Sequence, residues 1–273
     1  MKQVLTRLFR PQVAVVNGFA AAGGYFLFPA TVDLVAVGAV MAGVTLLAAG
    51  GSALNQVLER DLDKLMVRTR FRPLPEGTLS PRAAILMGGG CILEGFLVLL
   101  CSGGLVPALL GLMAVVWYLG MYTPLKRRTS FALPLGAACG AVPPVIGWCI
   151  AGGSPGDFRV ILLAGLLYLW QVPHFWLFQR RHANDYRSAG IPLFAAVSKG
   201  TGAVGFFRLW IIALVTVTML LPALGLIGHH AALWCALVAV PLLALSGLQL
   251  ESALFSYLNF FPLLLTLILF IQR

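Results

Sequence analysis

The chain has 273 residues, 60% of them hydrophobic and only 10% charged, with a formal net charge of +10 and a mean hydropathy of +0.93. A soluble domain carries about 25% charged residues, so a water-facing globular surface is excluded, as are the disordered, collagen-like and disulfide-scaffold classes. The positive charge does not point to nucleic acid, because nearly all the basic residues flank apolar spans.

The predicted elements are all helical. Apolar runs between punctuating residues predict nine transmembrane helices, over 13–30, 34–57, 83–103, 105–124, 131–151, 159–179, 204–226, 231–249 and 252–271, most of them near the ~20 residues that cross hydrocarbon as helix. The basic N-terminus followed by an apolar run is reminiscent of a signal peptide. The run is long for one and more spans follow it, so an uncleaved first helix is expected. All Lys and Arg except Arg159 and Arg273 fall in the N-terminal tail, in the loops after even-numbered helices or, for Arg208, in the first turns of the seventh helix. By the positive-inside rule these segments are cytoplasmic, which places the N-terminus inside and the C-terminus on the opposite side, in a membrane expected to be the bacterial inner membrane. Cys91, Cys101, Cys139, Cys149 and Cys235 are scattered singly without metal spacing and read as small buried hydrophobes. Glu94 stands alone within the third run, where a carboxyl hydrogen-bonded between helices is the expected state.

Two cytoplasmic loops are alike. Residues 55–81 and 180–200 each follow an even-numbered helix, four spans apart, and each joins acid and amide residues to arginines and a Gly/Pro turn. We read this as a weak duplication, helices 1–4 and 5–8, within one membrane domain over residues 1–273. Loops of this length in so compact a chain are usually functional. In the first, Asn55, Glu59 and Asp63 share one helical face at i, i+4 and i+8. Like charges at that spacing repel, so the stack implies a cation, and all-oxygen donors favour Mg²⁺ over zinc. Arg68 and Arg72 repeat the i,i+4 spacing and suit phosphate oxygens; the alternative is a solvated loop whose acids pair with its own arginines. Asp61 points away from the acidic face, toward a surface pair or no role. Tyr122 and Lys126, one turn apart at the end of the fourth helix, either hold an anion or anchor the interface. His174, Arg181 and Asp185, at i, i+7 and i+11, would share a face directed at the first loop. An intramembrane histidine is a functional hypothesis, as an iron ligand or as a hydrogen-bonding partner of a neighbouring helix.

The pattern Asn55-x-x-x-Glu59-x-x-x-Asp63, followed by Arg68-Thr-x-x-Arg72-Pro-Leu, resembles the first motif of the UbiA superfamily of intramembrane prenyltransferases. Ala141-Val-Pro-Pro-Val-Ile-Gly147-Trp, Leu169-Trp-Gln-Val-Pro-His174 and Asp185-Tyr-Arg-Ser-Ala-Gly-Ile-Pro192 resemble its heme-modifying branch. Tyr122-Thr-Pro-Leu-Lys126 is similar to a superfamily Tyr-x-x-x-Lys element. Glu59 stands where Asp is usual, and only Asn184 and Asp185 stand where the superfamily has a second aspartate pair. The resemblance implies a helical bundle around an apolar cavity with cytoplasmic loops over the site. It implies Mg²⁺ held by Asn55, Glu59, Asp63 and Asp185, with Tyr122 and Lys126 also catalytic. Arg68, Arg72, His174, Arg181 and Lys199 would bind substrates. The implied reaction moves farnesyl from farnesyl diphosphate to a vinyl group of heme b, giving heme o and diphosphate for respiratory oxidases. Implied partners are the lipid bilayer and downstream heme-modifying enzymes or oxidase assembly factors. Prenylation of an aromatic quinone precursor, or transport, are the rival functions.

Overall fold

The computed structural model describes residues 1–194 and 201–272, and among them every regular element is a helix. A short helix α1 (Lys2–Phe9) ends at Arg10, whose backbone is left-handed at φ 48°, and Pro11 then opens α2 (Pro11–Leu27). Proline cannot donate to the preceding turn but suits a first helical position, so the Arg10-Pro11 pair separates the two helices. The tail is therefore folded down rather than free. Leu8 is fully buried against Ala53, Leu74 and Ala84, and Gln56 donates to the carbonyls of Arg7 and Leu8 at 3.0 and 2.7 Å.

The long helices follow as α3 (Leu34–Leu58), α6 (Pro81–Gly103), α7 (Leu105–Val116), α9 (Ala132–Ile150), α10 (Phe158–Arg181), α12 (Thr201–Ala223), α13 (His229–Gly247) and α14 (Glu251–Ile271). Short helices α4 (Arg60–Leu65) and α5 (Pro73–Glu76) lie between α3 and α6, and α11 (Ala183–Ser188) follows α10. From α7 the chain runs without interruption through a π-helical stretch, Trp117–Tyr122, into α8 (Thr123–Leu125). Seven helices are long and apolar enough to cross a membrane: α3, α6, the α7–α8 run, α9, α10, Val204–Ala223 within α12, and α14. The other two expected spans coincide with α2, 17 residues long, and with α13, in which Ala232–Gly247 is apolar.

Small residues bring the helices into contact, as expected where lipid supplies no hydrophobic drive. Gly43 and Gly50 of α3 face Gly95 and Gly88 of α6. A Cβ on Gly50 would lie 2.5 Å from the Gly88 carbonyl oxygen, and one on Gly95 2.7 Å from that of Gly43. Between α2 and α9, a Cβ on Gly24 or Gly147 would strike the carbonyl oxygen of Pro144 or Ala21. A larger aromatic-aliphatic cluster joins α2, α10, α12, α13 and α14 around Trp148, Leu166, Leu214 and Phe261. Glu94 differs from expectation: it is exposed on the outer side of α6, not held between helices.

The two similar loops share a backbone feature. Helix α3 breaks at Glu59 (φ −112°, ψ 14°) and restarts as the six-residue α4. Helix α10 breaks at His182 (φ −112°, ψ 27°) and restarts as the six-residue α11. Glu59 and His182 thus occupy similar hinges, one after α3 and one after α10.

Candidate active site

The acidic face survives the break at Glu59. The Glu59 amide donates to Asn55 O at 3.0 Å and the Asp63 amide to Glu59 O at 2.8 Å, so the i→i+4 register is carried across the hinge. Asn55, Glu59 and Asp63 retain only 5%, 4% and 3% of their exposure. Asn55 Nδ2 and Lys126 Nζ both donate to Glu59 Oε2, at 2.9 and 2.5 Å. Thr123 Oγ1 donates to Asn55 Oδ1 at 2.8 Å, which ties α8 to α3. Arg72 donates to both oxygens of Asp63, at 2.9 and 2.8 Å. Each buried acid therefore has a basic partner, without which its burial would cost several kcal/mol. Asp61 points outward as expected and is exposed in a two-bond pair with Arg127.

Burial pushes the Lys126 ammonium below the ordinary lysine value while Glu59 pulls it back up. Its Nζ lies 5.4 Å from the Tyr122 ring centroid, and Tyr122 stacks on Tyr118 at 5.7 Å. These tyrosines belong to the π-helical stretch, a geometry frequent at functional sites. Two further residues face this cluster without having been expected there. Arg10, set by its left-handed turn, is lowered by burial and by Arg72, with Tyr118 and Asp63 opposing. The Tyr186 phenol is raised by burial and feels Arg68, Glu59, Arg10 and Arg72. For Arg10 the available signal was its place immediately before a helix-opening proline. For Tyr186 it was the hinge-plus-four spacing that it shares with Asp63.

The second loop behaves differently from expectation. Asp185 accepts the backbone N–H of Val67 and Arg68 at 3.0 and 3.2 Å, and Ser188 Oγ donates to Leu65 O at 3.1 Å. Asp185 thus clamps the loop after α4. Among the described residues no three His, Cys, Asp or Glu side chains gather as a metal cluster. Asp185 is taken up by the amides after α4, while His174 and Arg181 both reach Phe255 of α14, so the face expected for the three is divided between two partners. His174 instead stacks on Trp170 and on Phe255 of α14, at 5.1 and 5.3 Å, with its Nδ1 buried and unpartnered. Arg181 lies 5.6 Å over Phe255 and Arg68 lies 5.1 Å over Phe178. Lys199 lies outside the described residues. The residues that fit a metal are Asn55, Glu59 and Asp63: all their donors are oxygens, which suits a hard divalent cation, and Glu59 Oε1 is buried with no hydrogen-bond partner.

A helical membrane bundle with buried acids, a lysine and arginines at one end matches the UbiA prenyltransferase family over residues 16–270, and the chain belongs to that family. It is 57% identical to the protoheme IX farnesyltransferase of Geobacter sulfurreducens, over 97% of each chain. It is 36% identical to that of Oleidesulfovibrio alaskensis, over 100% of this chain and 97% of the relative. Among solved structures it is similar to an apo UbiA homolog from Aeropyrum pernix, with TM-score 0.80, 20% identity, and 96% and 98% of the two chains covered. It is similar also to a UbiA homolog from Archaeoglobus fulgidus bound to GPP and Mg²⁺, with TM-score 0.68, 13% identity and 98% of each chain covered.

Proposed function

We propose that this integral membrane protein transfers the farnesyl group of farnesyl diphosphate to a vinyl group of heme b, giving heme o and diphosphate. Near-full-length identity of 57% to a protoheme IX farnesyltransferase is the observation that carries this reading. The pairing of Glu59 with Lys126 and of Asp63 with Arg72 supports a polar end built for a diphosphate. Lys126, Arg72 and Arg10 are the cations for its oxygens, with Arg68 at the border. Asn55, Glu59 and Asp63 would hold Mg²⁺, which when bound would supply charge neutralisation of the leaving group; Asp185 is left to position the loop. Tyr122 and Tyr118 present ring faces near the anion site, where an allylic cation gains from π-density. The C–O bond to diphosphate breaks, the vinyl group attacks the allylic carbon, and positive charge moves to the carbon beside the porphyrin. Water adds there as hydroxyl and releases a proton. Catalysis by the protein is therefore positional and electrostatic, and water must be kept from the first cation and admitted to the second.

We further infer nine spans around an apolar cavity, a single domain over residues 1–273 with a repeated half, and an inner-membrane location with the acid-bearing loops cytoplasmic. The similar hinges at Glu59 and His182 support the repeat. The test is direct: protein in liposomes, given heme b, farnesyl diphosphate and Mg²⁺, should yield a heme heavier by one farnesyl and one hydroxyl group. Prenylation of a phenolic acid with no modified heme would replace the acceptor and keep the chemistry.

A further inference from the structure

Beside the buried acid–base cluster lies a second, open cleft of about 370 Å³, lined by Val67, Arg68, Arg181, His182 and Asp185 among others. Its charges are unevenly used. Arg180 is paired with Glu251 at 2.8 Å, Arg187 donates to Asn184 at 3.1 Å, and both Asp185 oxygens accept backbone N–H groups. Arg68 and Arg181, both exposed, have no carboxylate partner among the described residues. Their guanidinium groups rest on two aromatic rings, Phe178 and Phe255, which are themselves 6.3 Å apart. From these rings an aromatic wall continues into the membrane along α10 and α14: Phe255 stacks on His174, and His174 on Trp170. A polar rim with two guanidinium groups that lack a carboxylate partner, beside a column of face-to-face rings, suits an apolar molecule that carries two carboxylates along one edge.

We propose that this cleft receives the two propionates of heme b, with Arg181 and Arg68 as their partners and the Phe178–Phe255–His174 wall against the macrocycle. The assignment rests on the heme-acceptor reading above. Propionates and vinyl groups lie on opposite edges of protoporphyrin, so holding the propionates at the rim directs the vinyl edge inward. Arg68, which lies between this cleft and Arg72, then separates the two anionic substrates. Arg181 is thus a specificity-determining residue for the acceptor and takes no part in diphosphate binding.

The ligand itself provides the cleanest test: heme b is compared with its dimethyl ester, in which both carboxylates are neutral. Binding to the full-length protein is followed by Soret titration, and turnover with farnesyl diphosphate is measured beside it. Wild type should bind the diacid at least about tenfold more tightly than the diester, the size of a lost charge-assisted hydrogen bond. Arg181→Gln should weaken the diacid by about tenfold, leave the diester and the KM for farnesyl diphosphate unchanged, and so narrow the preference by that factor; Arg181→Lys should restore part of it. Equal binding of diacid and diester by wild type overturns the proposal without any variant, and so does an Arg181→Gln defect of the same size for both. If wild type prefers the diacid but farnesylates neither, the acceptor reading fails while the dicarboxylate cleft stands.

Discussion

At the scale of single residues, the site is a set of buried charges that neutralise one another. Glu59 is the most constrained, since Asn55 and Lys126 share one of its oxygens while the other is free. Glu59→Gln leaves the Lys126 ammonium against a neutral amide, and removing one partner of a buried pair costs about 3–5 kcal/mol. We expect kcat/KM to fall by more than about a hundredfold in Glu59→Gln, with Glu59→Asp keeping much of the activity. Wild-type turnover by Glu59→Gln would make the position structural. Arg10, brought to the site by its turn, should act on one substrate alone. Arg10→Ala should raise the KM for farnesyl diphosphate about tenfold with little change in heme binding; an equal effect on both ligands in steady-state assays would move Arg10 out of the diphosphate site. Chelation by EDTA should abolish turnover and added Mg²⁺ restore it, whereas full activity in chelator would remove the metal from the mechanism.

At the scale of elements, the site depends on how closely helices approach and on where they break. The hinges at Glu59 and His182 let a long apolar helix end in a short polar one, and the two short helices meet through Asp185, Ser188 and the residues after α4. The crossing of α2 with α9 is set by Gly24 and Gly147, where any Cβ meets backbone that cannot move aside. Gly147→Ala should therefore lower stability by about 1–3 kcal/mol, the usual cost of overpacking. Gly165→Ala, on a helix where a Cβ meets nothing within 4 Å, should change little. Thermal unfolding in detergent compares the two directly, and equal midpoints would show that α2 and α9 can separate freely.

At the scale of the whole molecule, the arrangement is polarised. Farnesyl diphosphate has a water-soluble anionic head, so a site for it must open to the compartment that supplies it. Thr78, in the loop before α6, and Ser154, in the loop before α10, are both exposed and belong to opposite ends under the positive-inside rule. In a background freed of the native cysteines, Thr78→Cys should react with a membrane-impermeant thiol reagent only in inverted vesicles. Ser154→Cys should react only in right-side-out ones. The reverse labelling would invert the orientation. A polar cluster at one end, with long apolar helices beneath it, is also unlike the mid-membrane charge of a transporter.

The all-helical class, the integral membrane character and the shared face of Asn55, Glu59 and Asp63 are determined by the sequence alone. Hydropathy sums over a local window and helical periodicity is local geometry, so neither needs the rest of the chain. The pairing of Lys126 with Glu59 needed the tertiary structure, as did the entry of Arg10 and Tyr186, the turning of Asp185 onto loop amides and the stacking of His174 on Phe255. Each depends on a hinge or on the rotation of a helix about its own axis. In water an apolar stripe reports that rotation. In lipid both faces of a span are apolar, as the exposed Leu86, Leu93 and Leu97 of α6 illustrate, so only the packing of one helix against the next decides which residues look inward.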